Sequence, residues 1–374
     1  MKPFDFRGKN NPDITHWAGY LEYLSHRRGQ FPMIAIGDLQ SLTPTERLAY
    51  DSARLDFLSD NIVVRNETVL NIADVLATVM ELNRGKPKGG YGVFVSAPSG
   101  RGKTTALHAV VQDVLLSYIK SDPHCITDNH CCPVAYICIP DSGTPKSIYM
   151  EIADYLGIEY KPRDSDPVMR KLVLAGIANS GVEVFVIDEI QNLENGGAYA
   201  KRAADAVRRL ADDTATTYIL AGINLEITSF MTEARGLQIA NRVLHAEVAE
   251  YGKQSDNWRG RWKGLVTAMA DALPLYATGR EELRPLAEEL HHMCHGSVQA
   301  LNLILTQTAR DLIELPDPTQ ETVTLERLKG TRVNLATERH VDAELERTRA
   351  KATRAAKAVR AGKPPPSAPP NAGA

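Results

Sequence analysis

Residues 91–104 read Tyr-Gly-Val-Phe-Val-Ser-Ala-Pro-Ser-Gly-Arg-Gly-Lys-Thr and run directly into Thr105-Ala106-Leu107-His108-Ala109-Val110-Val111. An apolar run, a glycine-containing turn and a second apolar stretch make a strand, a loop and a helix start, with Gly102-Lys103-Thr104 closing the loop. A chain of phosphates needs this order. The loop Ala97, Pro98, Ser99, Gly100, Arg101 and Gly102, with Lys103, Thr104 and Thr105 opening the helix, turns backbone N–H groups toward anionic oxygens. Lys103 reaches the β- and γ-phosphates, and the Thr104 hydroxyl is placed to hold Mg²⁺. Ala97 stands where the motif's first glycine is usual, and it is small enough for the tight turn.

A matching half lies further along. Gly181-Val182-Glu183-Val184-Phe185-Val186-Ile187 has the composition of a buried parallel strand and ends in Asp188-Glu189. A carboxylate at that strand end sits beside the phosphate loop, so Asp188 can share the metal with Thr104. Its neighbour Glu189 can orient and polarise an attacking water. The adjacent pair favours a hydrolysing ATPase over a GTP switch.

The chain has 374 residues and a formal net charge of −3, enough length for two or three domains including one large α/β unit. The charge is uneven: Arg347 to Lys363 holds seven Lys/Arg and no acid, so the remainder is clearly acidic. No stretch of about eighteen apolar residues and no apolar signal-peptide core are found, which points to a cytoplasmic protein without membrane contact. Four of five cysteines cluster at Cys125, Cys131, Cys132 and Cys138. Their spacing lacks the paired knuckles of structural zinc sites, so they read as reduced thiols, with Cys138 in a core strand.

Residues 1–40 read as an N-terminal arm or accessory segment. Thr43-Pro44-Thr45-Glu46 starts a helix through about Phe57, and a second spans about Val69 to Asn83. Strands and helices then alternate: a strand at 134–139, helices at about 145–156 and 166–180, a helix at about 198–212, a strand at 217–223 and a short last strand from Leu244 to Tyr251. This is a parallel sheet with helices on both faces, spanning 41–254 with its helical lead-in. Residues 255–342 are wholly helical (260–273, 279–294, 297–314, 322–329) and suit a lid over the nucleotide. The tail 343–374 is basic and Ala/Pro-rich.

These motifs together resemble an AAA+ ATPase: a P-loop NTPase core followed by a small all-helical lid. Leu42-Thr43-Pro44-Thr45-Glu46-Arg47, Tyr50-Asp51-Ser52-Ala53-Arg54, Val186-Ile187-Asp188-Glu189-Ile190-Gln191-Asn192-Leu193, Gln238-Ile239-Ala240-Asn241-Arg242 and His295-Gly296-Ser297-Val298 resemble the TniB/TnsC/MuB-like transposition regulators, over roughly 40–345. The resemblance implies an ATP- and Mg²⁺-dependent target selector that polymerises as a ring or helical filament on duplex DNA. It also implies recruitment of a DDE transposase, with a targeting adaptor as a further partner. It assigns Lys103, Thr104, Asp188 and Glu189 to the nucleotide site, Asn224 to sensing the γ-phosphate, and Arg242 to an arginine finger supplied in trans, with Arg235 in reserve. The lid helix opens Gly296-Ser297-Val298-Gln299 where many relatives have an arginine. Gln299 can bond a phosphate but cannot neutralise it, so hydrolysis is expected to be slow and stimulated by DNA or transposase.

The resemblance further implies duplex contacts from Thr144, Lys146 and Ser147 after the second strand, and from Lys201 and Arg202, with Arg208 and Arg209, on the helix after Glu189; contacts to the backbone would be sequence-independent. The basic tail is a non-specific DNA clamp, a contact for the transposase, or a solvated, disordered terminus. Two other readings stay open: an initiator or helicase-loader ATPase, and a nucleotide-switched scaffold without DNA contact.

Overall fold

The computed structural model describes residues 12–26, 30–59, 63–124, 131–141, 144–194, 198–232, 236–253, 255–334 and 337. Helix α1 (Trp17–His26) and α2 (Pro44–Ser59) precede α3 (Glu67–Asn83), which leads into β1 (Gly92–Ser96) and α4 (Lys103–Ser121). Then come β2 (Val134–Cys138), α5 (Pro145–Tyr155), α6 (Asp166–Asn179), β3 (Val184–Asp188), α7 (Ala198–Asp213), β4 (Thr217–Gly222) and β5 (Val243–His245). The five strands form one parallel sheet in the order β2-β3-β4-β1-β5. Parallel strands covered on both faces must be apolar along their whole length. Accordingly β3 is buried from end to end and β4 likewise.

The order of strands decides where chemistry can sit. β1 lies beside β4, and β4 beside β3, so the loop after β1 and the acids after β3 emerge at the same C-terminal edge, one strand apart. A buried asparagine fixes the other edge. Asn83 donates to the Tyr91 carbonyl and to Thr217, and accepts from the Tyr91 N–H at 2.7 Å.

The lid is a second apolar cluster built from α8 (Trp258–Ala272), α9 (Ala287–Cys294) and α10 (Val298–Ile313), centred on Trp262, Val266, Leu290, Leu301 and Leu305. Helix α2, grouped with the sheet domain on sequence grounds, packs into this cluster through Leu58. Its Arg54 is fully buried, bonded to Glu321, to the Pro274 carbonyl at 2.9 Å and to Asp51 at 3.0 Å. A buried guanidinium is tolerable only with its donors satisfied, and these partners satisfy them.

Four sequence expectations change. Within the segment read as an arm or accessory segment, residues 17–26 form a helix that the sequence reading did not place: Trp17, Tyr20, Leu21 and Leu24 form a short apolar stripe, with Tyr20 and Leu24 buried against the sheet domain. The last strand stops at His245 rather than Tyr251, because helix α3 captures the backbone beyond it. Asn71 donates to the Glu247 carbonyl and Thr68 accepts from the Ala249 N–H. The helix expected over 279–294 is broken by a tight turn at Arg284–Leu286, where Pro285 has no N–H to continue the ladder. Cys138 is exposed at the C-terminal end of β2 rather than in the core. The tail 343–374, Cys125 and Arg235 lie outside the described residues.

Candidate functional site

The loop after β1 turns on two glycines in the left-handed region, Gly100 at φ 81° and Gly102 at φ 83°, which side chains with a Cβ rarely adopt. Gly102 delivers the chain into α4, so the unpaired N–H groups of its first turn face the loop. Ala97 is buried and its N–H donates to the Gly222 carbonyl at 3.2 Å, which pins the loop to the end of β4. Lys103 is buried at the first position of α4 and forms an ion pair with Asp188 at the tip of β3; its Nζ is 3.7 Å from Glu189 Oε1. The second Asp188 oxygen accepts from the Thr104 hydroxyl at 3.1 Å and from the Tyr136 hydroxyl at 2.8 Å. Burial alone would raise this carboxyl. The Lys103 ammonium, the Glu189 N–H and the Tyr136 hydroxyl outweigh it and hold Asp188 below the usual carboxylate range.

Glu189 has φ 59°, left-handed for a side chain that seldom tolerates it, and is partly exposed. Its carboxylate accepts from the Gln191 amide, whose oxygen accepts from the Ile223 N–H at 2.9 Å. Ile223 lines the cavity; Asn224, one residue on, is exposed with φ 49°. The turn holding Asn224 is tied back to β1, with Leu225 N–H donating to Ser96 Oγ at 3.0 Å and Ser96 donating to Glu226.

Between loop and lid lies a cavity of about 350 Å³, bounded by residues 98–106, Glu189 and Ile223 on one side, Val64, Asn66 and Val69 on another, and Met269, Val298 and Gln299 of the lid. Its size and its split into polar and apolar walls suit a nucleotide. One donor there lacks a partner: Arg101 Nη1 is buried with no hydrogen bond among the described residues, as expected where an anion is to be received. The hard oxygens of Thr104 and Asp188 converge as a magnesium site requires. The lid reaches the loop directly, Gln299 N–H donating to the Gly100 carbonyl at 3.2 Å.

The structure separates the other expected residues. Arg242 precedes β5 at the N-terminal edge of the sheet, with its carbonyl accepting from the Gly92 N–H. That is the length of β1, about 15 Å, from the phosphate loop. It is exposed and pairs with Asp212 at 2.6 Å. Thr144 and Ser147 cap α5 reciprocally, and Lys146 donates to the Pro162 carbonyl at 2.7 Å. Lys201 and Arg202 are exposed near the start of α7, which packs beside α5. Both groups follow strand C-termini and so share one end of the molecule. Arg208 does not join them: it is largely buried, bonded to Asp205 and to the Phe230 carbonyl.

Tyr136, Gln191 and Gly222 contribute to the site without belonging to either sequence motif's expected set. A lone hydroxyl in the apolar run 134–139 and a glycine closing an apolar strand were the available signals. Among the described residues no three His, Cys, Asp or Glu side chains cluster as metal ligands, and no helix is long and apolar enough to cross a membrane.

A family model described as "Bacterial TniB protein" matches residues 54–253, just over half of the chain. Among solved structures, the Aeropyrum pernix ORC1 protein in complex with DNA is similar at 16% identity and a TM-score of 0.50, over 80% of this chain and 69% of that one. The Aeropyrum pernix ORC2 protein, in ADPNP–ADP complexes, is similar at 15% identity and a TM-score of 0.50, over 69% of this chain and 65% of that one. At such identities the likeness is one of fold, that of AAA+ ATPases. No curated protein matches the sequence.

Proposed function

The chain belongs to the bacterial TniB family, and from that premise we propose that it is an ATP-dependent regulator of DNA transposition that assembles on duplex target DNA and recruits a DDE transposase. The observation that carries the reading is the convergence of Lys103, Thr104 and Glu189 on one cavity roofed by the lid, with Asp188 buried behind them on Lys103 and Thr104, and with Arg101 Nη1 lacking a partner there among the described residues. In this reading Lys103, Arg101 and the loop amides bind the triphosphate. Thr104 and Asp188 hold Mg²⁺, which neutralises charge on the β- and γ-phosphates when bound. Glu189 orients the water that attacks the γ-phosphorus, and Asn224, on the turn after Ile223, senses that phosphate.

Arg242 is remote from its own chain's cavity and exposed, so it serves a neighbour's nucleotide. Hydrolysis is then coupled to assembly. Thr144, Lys146, Ser147, Lys201 and Arg202 share the strand C-terminal end and contact the DNA backbone, which makes binding sequence-independent and strongly salt-sensitive. A targeting adaptor acts upstream. The lid presents Gln299 and no cation to the phosphates, so turnover is slow until DNA or transposase stimulates it.

The test is electron microscopy of the full chain with duplex DNA, with and without a non-hydrolysable ATP analogue and Mg²⁺. Filaments or rings are expected only with both nucleotide and DNA. Assembly with nucleotide alone would favour a scaffold, and assembly indifferent to nucleotide would defeat the proposal.

A further inference from the structure

One side chain joins the Glu189 carboxylate to the end of β4. Gln191 sits on the tight turn Ile190–Glu194 that follows Glu189. Its Nε2 donates to Glu189 Oε2, and its Oε1 accepts from the Ile223 N–H at 2.9 Å. The two partners fix the amide's orientation, since a carboxylate can only accept and a backbone N–H can only donate. Gln191 is therefore a two-ended bracket with no freedom to flip.

Three further features fit a bracket rather than a residue that merely satisfies a stray N–H. Glu189 has φ 59°, a conformation that costs a non-glycine residue on the order of 1 kcal/mol and persists only where the surroundings hold it. The other Glu189 oxygen is left facing Lys103 Nζ, 3.7 Å away, and the cavity. Room for the bracket is provided at Gly222, where a Cβ would collide with Gln191 Oε1 and also with the Leu225 side chain. An acceptor for Ile223 N–H would need no amide. The donor half is explained only by the carboxylate.

We propose that Gln191 is a positioning residue for hydrolysis, holding the Glu189 carboxylate in register with the turn after β4. A shift of that turn at the γ-phosphate end of the cavity then moves the water-orienting carboxylate through one side chain. This rests on Glu189 having the role proposed above.

The experiment compares Gln191→Leu, Gln191→Glu and Glu189→Gln in the full chain. Steady-state ATP hydrolysis on duplex DNA, equilibrium binding of a fluorescent ATP analogue with Mg²⁺, and the melting temperature are read for each. Gln191→Leu removes both bonds at similar volume. Gln191→Glu keeps an acceptor for Ile223 but turns a second carboxylate on Glu189. Both variants are expected to lose roughly 10- to 100-fold in kcat, with KM and analogue affinity within about twofold of wild type. In the Glu189→Gln background, Gln191→Leu should add almost nothing.

Wild-type turnover by Gln191→Glu would overturn the bracket and leave only an N–H acceptor. A loss of analogue affinity equal to the loss of kcat would also overturn it, because the side chain would then be shaping the cavity. If Glu189→Gln itself turns over normally, the failure lies in the role assigned to Glu189. If Glu189→Gln is inactive while Gln191→Glu is not, only the inference about Gln191 fails.

Discussion

The two ends of the parallel sheet handle charge in opposite ways. At the C-terminal end, Lys103 and Asp188 are both buried and joined, and Tyr136 and Thr104 take up the remaining carboxylate valence. At the N-terminal end, Arg242 and Asp212 meet in the open, with side chains 44% and 51% exposed. A buried pair is costly to break, because removing one partner strands a desolvated charge. An exposed pair contributes about 0–1 kcal/mol and exchanges readily for another partner. One end is therefore committed to its own chain's chemistry. The other holds an exposed guanidinium in a pair that exchanges partners readily, as the proposed role of Arg242 requires.

The largest effect that tests this contrast is expected from Lys103→Ala. Nucleotide affinity should fall by at least about 100-fold, and the protein should lose on the order of 3–5 kcal/mol of stability because Asp188 is left buried without its ammonium. The sign with pH follows from the depressed Asp188 carboxyl. Pairing stabilises the fold at pH above the ordinary value of 3.8, and that stabilisation disappears as pH falls through the lower folded value. The melting-temperature deficit of Lys103→Ala should thus be full at pH 7 and shrink in strong acid. A deficit that is constant with pH would mean that the pair is not its source.

Next comes Arg242→Ala. DNA-stimulated turnover should drop roughly 10- to 1000-fold if the guanidinium completes a neighbour's site, while analogue affinity of the isolated chain stays within about twofold. Stability should move by no more than about 0.5 kcal/mol. A large loss of affinity in the isolated chain would put Arg242 in its own cavity and erase the distinction between the two ends. A smaller effect is expected from Tyr136→Phe, which removes one of the two hydroxyls on Asp188 Oδ2. Calorimetry should find the Mg²⁺-dependent gain in nucleotide affinity reduced several-fold, with affinity in EDTA unchanged. An equal loss with and without Mg²⁺ would show that the hydroxyl shapes the core rather than the carboxylate.

What could be read from the sequence differs between the same two ends. Strand, glycine turn and lysine are contiguous from 91 to 104, and Asp188-Glu189 closes its own strand, so local pattern alone carries the nucleotide site. The supporting residues are long-range: Tyr136 meets Asp188 across 52 positions and Gln191 meets Ile223 across 32. No spacing rule registers such contacts. Burial of Arg54 on Glu321 is equally invisible in the sequence, where α2 reads as a lead-in to the sheet domain although Leu58 packs into the lid cluster. The resemblance supplied Arg242 and Asn224. Geometry adds that Arg242 stands at the far end of the sheet from its own chain's glycine loop after β1 and that Asn224 is exposed on the turn beyond Ile223.

Asp212→Asn sharpens the contrast with the smallest perturbation. The substitution keeps the shape of the side chain that engages Arg242 but removes its charge, so the guanidinium is less strongly held at the N-terminal edge. If Arg242 must leave Asp212 to reach a neighbour's phosphate, the competition is part of the cost of assembly. Relieving an exposed pair is worth at most about 1 kcal/mol, which corresponds to no more than about a fivefold gain in DNA-stimulated turnover at limiting protein concentration. The gain should vanish at saturating protein, where assembly is complete. It should also vanish in the Arg242→Ala background, because there is no guanidinium left to release. A gain that survives there would mean that Asp212 acts through something other than Arg242, and the N-terminal edge would lose its claim to be the half of the site offered to the next chain.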